Sequence, residues 1–173
     1  MGVFREMETT MAVNTRRVND RRAVRYESFL EVLSDAELLA QSEVLTLGNW
    51  SLGQIFSHLA RTMNASIDGF DGKASLGSRL SARLIYGRRL LSGPMPAGMR
   101  LPAVAEQLLP EAIGAEEGLA ALREAIERLS FETERAAHPL LGEMSLDQWD
   151  NYHLRHAELH MSFALAIHVP VLV

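Results

Sequence analysis

Apolar residues recur along this chain at alternating steps of three and four, the spacing that lays one face of an α-helix against a core. Over residues 19–41, Tyr26, Phe29, Leu33, Ala36 and Ala40 keep that period and predict a first helix. Gly48 and Asn49 break it. Ser51-Leu52-Gly53-Gln54 then has the form of a capping box, in which the serine oxygen can accept from the amide three residues on while the glutamine reaches back. With Trp50 and Ile55 as the flanking hydrophobic staple, a second helix is expected to start at Ser51. Its apolar side is Leu52, Ile55, Phe56, Leu59 and Met63, and it should end by Gly69. Leu119, Leu122, Ile126 and Leu129 predict a third helix over residues 115–133, closed by His138-Pro139 and Gly142. A second capping box, Ser145-Leu146-Asp147-Gln148 with Met144 and Trp149 as its staple, opens a last helix expected to reach Ile167.

Between Phe70 and Pro110 the composition shifts to Gly, Pro, Ser and Arg. A short helical segment over residues 78–91 carries Arg79, Arg83, Arg88 and Arg89 and stops at Gly93-Pro94-Met95-Pro96. A crossover of that length suits a bundle in which two helices run parallel. No alternating pattern long enough for a strand stands out, nor a repeat, nor a low-complexity tract. Residues 1–18 are polar and aperiodic, an expected mobile arm in which Met7 and Met11 leave room for a later start. The expected fold is all-α: one helical domain over residues 19–173, a four-helix bundle whose long crossover contains an accessory helix.

Length and composition narrow the chemistry. A chain of 173 residues can bury roughly two-thirds of its unfolded surface, so no staple is needed merely to fold. The absence of cysteine removes disulfides, thiolate metal sites and a cysteine nucleophile together. A net charge of -5 works against a nucleic-acid partner, which draws most of its affinity from clustered Lys and Arg. No apolar run approaches the roughly 18 residues of a membrane span. The amino terminus also lacks a secretory core, and Glu6 stands where a myristoylation signal wants Ser or Thr. A cytoplasmic protein without membrane or nucleic-acid partner is expected.

Six histidines are present, and His153, His156 and His160 fall within two turns of the last helix. They lie within about 60° of one another, on a stripe shared with Leu146, Trp149, Phe163 and Ile167, and so should point inward. Asp147, Asn151, Arg155, Glu158 and Ser162 occupy the other side and complete a polar face without any histidine. Inward imidazoles must satisfy two ring nitrogens each, which is costly in an apolar interior. A shared cation removes that cost, and the i, i+4 pair His156 and His160 has the spacing to share one. The alternative is histidines bonded to carbonyls. A third ligand must come from elsewhere: His58, on the flank of the second helix's apolar face, is the best placed. On the residues alone His58 reads equally well as a surface residue, and His153 as the third ligand.

The run from Asn49 to Ala60, followed by His156-Ala157-Glu158-Leu159-His160, resembles the DinB and YfiT-like superfamily of metal-binding four-helix bundles. More narrowly, Tyr26-Glu27-Ser28, Ser66-Ile67-Asp68-Gly69, Met95-Pro96-Ala97-Gly98, His138-Pro139 and Trp149 resemble a bacterial branch catalogued as a domain of unknown function. The resemblance implies one divalent ion, commonly zinc or nickel, on His58, His156 and His160, with His153 and Trp149 as pocket residues around it. Its characterised members include thiol-dependent transferases and a mycothiol-dependent isomerase. It therefore implies a small-molecule substrate and a metal-dependent S-transferase that activates a low-molecular-weight thiol. A metal-dependent hydrolase and a non-catalytic metal- or ligand-binding bundle are the alternatives. No general base is evident, since Glu158 falls on the outer helix face and Asp68 and Asp71 in an expected loop. The insertion over residues 70–110 exceeds what that fold needs and can cover or reshape a pocket, so no substrate carries over. The arginines from Arg79 to Arg89 read as a solvated face, His138 as a turn residue and His168 as a frayed end. The apolar residues 169–173 either pack on the bundle or form a homodimer contact.

Overall fold

The computed structural model describes residues 12–72, 77, 93–98 and 103–168. Among them are four α-helices, α1 (Phe29–Ala40), α2 (Leu52–Asp68), α3 (Ala115–Phe131) and α4 (Leu146–Met161). A small antiparallel sheet pairs β1 (Glu43–Thr46) with β2 (Ala164–His168). The fold is thus mainly helical, as expected, with a sheet that was not. The accessory helix expected over residues 78–91 and the apolar tail lie outside the described residues. No helix among the described residues is long and apolar enough to cross a membrane.

Both capping boxes form where the sequence places them. At α2 the Ser51 hydroxyl accepts from the Gln54 N–H (3.3 Å), and Gln54 Oε1 accepts from the Ser51 N–H (3.0 Å). Ser145 and Gln148 repeat the arrangement at α4. The core forms from Val32, Ala36 and Leu39 of α1, Phe56, Leu59 and Met63 of α2, Leu122 and Ala125 of α3, and Trp149, Ala157 and Met161 of α4. α2 and α3 cross backbone to backbone: a Cβ on Gly118 would meet Gly53 O at 2.5 Å, and one on Gly53 would meet Gly114 O at 2.5 Å. Glycine is needed there for close approach, not for an unusual φ.

Four expectations are corrected. α1 begins at Phe29, capped by the Ser28 side chain, and not at Asn19. Residues 18–28 instead run extended along α4, where backbone groups that a helix would have paired internally find other partners. The Arg22 N–H donates to Ser162 O (2.9 Å), the Tyr26 N–H to Glu158 (2.7 Å), and Arg155 donates to Tyr26 O. The face of α4 expected to meet solvent is therefore covered: Arg155, Glu158 and Ser162 are buried, while Leu146, expected inside, is 41% exposed. α4 ends at Met161 and the chain turns into β2, so Ile167 is an exposed strand residue and the His168 backbone pairs with Glu43. Asp68 is the last residue of α2, tied to Arg128 of α3 (2.5 Å), and does not sit in a loop.

Candidate metal centre

His58 lies two turns inside α2, and the Ser51 box that starts the helix sets its angular position. The Ser145 box does the same for His156 and His160, one turn apart near the end of α4. α2 and α4 pack so that the three rings meet edge to face, with centroids 4.6 to 5.0 Å apart. His156 Nε2 stands 3.2 Å from His58 Nε2 and 3.0 Å from His160 Nε2. His58 and His156 are buried, and His160 is partly open. The β1–β2 pair supplies the roof. Its ladder continues through the Leu47 N–H to Phe163 O (2.9 Å), and Trp50, three residues on, stacks on His160 at 5.2 Å and tilts over His58 at 4.7 Å.

The hydrogen bonds fix one tautomer. His58 Nδ1 lies 2.7 Å from Leu108 O, which can only accept, so Nδ1 carries the proton and Nε2 presents a lone pair to the other rings. The two Nε2 contacts of His156 cannot both be conventional hydrogen bonds, because a proton on His156 Nε2 can point at only one neighbour. A proton on His160 Nε2 donated to His156 would leave two lone pairs facing across the His58 contact. Adding protons is opposed. Burial pushes His58 down, the Arg61 charge adding to this and the Leu108 carbonyl opposing it. Burial first, and then the neighbouring histidines, hold His156 and His160 well below the usual histidine range. Three neutral imidazoles converging nitrogen to nitrogen are what a divalent cation needs. Bonds of about 2.0–2.1 Å at tetrahedral angles put two ligand nitrogens about 3.3 Å apart, close to the separations seen. His58, His156 and His160 could therefore hold a metal ion, all three ligand atoms lying within 4.8 Å of one another. One feature is less complete. A ligating histidine usually donates its second N–H to a neighbour, as His58 does, whereas His156 Nδ1 is buried with no partner among the described residues.

His153 is set apart from this trio. The Ser66 hydroxyl donates to Met63 O (2.6 Å), so His153 Nε2–H donates to Ser66 Oγ (3.0 Å) and its Nδ1 is left as an unpartnered buried acceptor. Burial, with Arg135 and His138 adding to it, pushes its pKa down to about 3. Trp149 is fully buried and stacks on His153 at 5.2 Å. His138 is the turn residue expected, but a buried one. Its Nδ1 accepts from the Leu140 and Leu141 N–H groups (3.1 and 3.0 Å), and burial lowers its pKa to about 4.

Beside His160 opens a cavity of about 200 Å³, walled mainly by Trp50, Ile55, Ala97, Gly98, Leu159 and Phe163. Parts of the crossover do approach the site: Ala97 and Gly98 line the cavity, and Leu108 supplies the carbonyl behind His58. Neither contribution has a sequence signature, because one is backbone and the other a pair of small residues. Tyr152, stacked on His156 at 5.6 Å, was also not foreseen, although its place four residues before His156 on α4 offered the signal. Glu158 and Asp68 are engaged by Arg155 and Arg128, away from the cavity lining.

No curated protein and no solved structure matches the chain. A family model described as a protein of unknown function, DUF1569, matches residues 18–166, which span every helix and nearly all of the sheet just described. The chain belongs to the DUF1569 family.

Proposed function

We propose that this protein is a DinB-like four-helix bundle holding one divalent ion, zinc or nickel, on His58, His156 and His160, and that it is a metal-dependent transferase acting on a low-molecular-weight thiol in the cytoplasm. The observation that carries the metal is the approach of three neutral imidazole nitrogens at 3.0 and 3.2 Å around His156. A divalent ion there would supply Lewis acidity, lowering the pKa of a bound thiol or water toward neutrality. The residues supply the rest. Leu108 O orients the His58 ring, Trp50 covers His58 and His160 against solvent, and the mainly apolar cavity beside His160 gives a substrate a dry wall. An ion with a cavity at its side favours catalysis over a purely structural role. Among the described residues no carboxylate lines that cavity. This favours a thiol, whose deprotonation needs the least help from a protein base, over hydrolysis.

The test is metal content by elemental mass spectrometry on protein without a histidine tag. About one ion per chain is expected in the wild type, lost in His58→Ala and His156→Ala and kept in His153→Ala. A wild type that takes up no ion after loading with zinc or nickel would end the proposal. Retention with loss of thiol-transfer activity in every assay would leave the ion and remove the transferase.

A further inference from the structure

A second cleft, of about 440 Å³, lies between the extended amino-terminal segment and the end of α4. Arg16, Arg21 and Arg22 line it, together with Pro94 and Met95. Among the described residues one of these arginines, Arg22, has a carboxylate partner. Arg22 is bidentate to Asp35, at 2.9 and 2.6 Å. Arg16 donates its Nε to Gly98 O (3.0 Å), and Arg21 donates one N–H to the Ser162 hydroxyl (3.0 Å) while its guanidinium lies over the Phe163 ring at 4.8 Å. Neither has a carboxylate partner among the described residues. Among the described residues the one carboxylate lining the cleft is Glu158, already taken by Arg155 (2.9 Å) and the Tyr26 N–H (2.7 Å).

In a chain of net charge -5, an exposed Arg16 and a half-buried Arg21, neither with a carboxylate partner among the described residues, converge on one concave site that suits an anion. The restraints leave both terminal amino groups of Arg16 and the Nη2 group of Arg21 available, since Arg16 is held through Nε and Arg21 through Nη1, while removing much of the side-chain entropy that binding would otherwise cost. Such forks fit a carboxylate or a phosphate, either of which can accept two parallel N–H donors. The cleft also adjoins the cavity beside His160. Leu159 walls both, and Arg16 of the cleft is bonded to Gly98 of the cavity.

We infer that this cleft binds the anionic group, carboxylate or phosphate, of a small organic molecule, with Arg16 and Arg21 as its donors. The anion site stands without the metal. That the rest of the molecule extends past Leu159 toward His160, which would make it the substrate, rests on the metal proposal.

The experiment is an NMR titration of the metal-free full-length protein with inorganic phosphate and, separately, with succinate, at ionic strength held constant with sodium chloride. Saturable shifts are expected at the Nε–H groups of Arg16 and Arg21, and whichever anion saturates at the lower concentration identifies the source. Arg21→Met should weaken that anion about tenfold or more, Arg21→Lys by less, and Arg123→Met, on the Glu37 pair elsewhere, not at all. Shifts that rise linearly without saturating for both anions, or equal affinity in the wild type and in folded Arg16→Met and Arg21→Met, would overturn the inference. Wild-type side-chain shifts decide the matter even if a variant fails to fold. Phosphate or succinate binding retained in His58→Ala shows an anion site independent of the metal; metal uptake without anion binding removes the anion site alone.

Discussion

Two polar clusters are buried on opposite faces of α4, and they are completed in different ways. On one face Arg155 and Glu158 pair with each other (2.9 Å) and with the Tyr26 backbone, and next to them Arg22 pairs with Asp35, which also accepts from the Tyr26 hydroxyl. Opposite charges meet there, and nearly every donor finds an acceptor within the chain, Arg22 Nε and Arg155 Nε being left over. On the other face His58, His156 and His160 bring like groups together, ring nitrogens at 3.2 and 3.0 Å that cannot all satisfy one another. A cluster that closes its own hydrogen bonds holds structure; one that can be completed only from outside points to a ligand. Burial alone would not distinguish the two, since Arg155 and His58 are both nearly inaccessible.

The largest effect should come from opening the self-complementary face. Glu158→Ala leaves the Arg155 charge buried without its carboxylate and should cost about 3–5 kcal/mol in urea unfolding, with metal content per folded chain unchanged. A loss below about 1 kcal/mol would mean that water or Tyr26 alone satisfies Arg155 and that the contrast between the faces is weaker than drawn.

The histidine side should instead be sensitive to acid. His138, packed against Trp149 at 5.4 Å, has a folded-state pKa near 4 against an ordinary value of 6.5. Once unfolded it takes up a proton below pH 6.5 that the folded form refuses, so its contribution to stability is whole above pH 6.5 and is lost as pH falls toward 4. The loss amounts to about 3 kcal/mol. Urea unfolding of metal-free protein across that range should show the slope, and His138→Asn, which keeps an acceptor for the Leu140 and Leu141 N–H groups, should flatten it. An unchanged slope in the variant would move the acid sensitivity to the other histidines.

The smallest effect sharpens the comparison by acting on both faces at once. Ser145→Ala removes the cap that sets the start of α4 and should cost about 1 kcal/mol. Because both clusters sit more than two turns beyond the cap, neither the Arg155–Glu158 pair nor metal uptake should change, which thermal unfolding and elemental analysis together can check. Metal loss in this variant would mean that helix register, and not ring chemistry, limits the site.

Much of this was legible along the chain, and the boundary between what was and what was not is physical. Ser51 with Gln54 and Ser145 with Gln148 announce two helix starts because a capping box is satisfied within four residues. His156 and His160 share a face because the helical period requires it. The periodicity over residues 19–28 does not mark a helix, since Tyr26 and Phe29 keep helical spacing while the Tyr26 backbone is paired by Glu158 and Arg155, more than a hundred residues away. The same pairing hides the burial of Arg155 and Glu158, because a polar face says nothing about what covers it.

By itself, then, the sequence determined a mainly helical domain, the starts of α2 and α4, and the presentation of two histidines on one side of the last helix. Each depends on contacts within a turn or two. Only the tertiary structure decided that β1 and β2 pair and hold Trp50 over the site, that the Leu108 carbonyl orients His58, and that His58 meets His156 and not Ser66-bound His153. Those contacts join residues far apart in the chain, and their energies depend on packing and desolvation that no local pattern encodes.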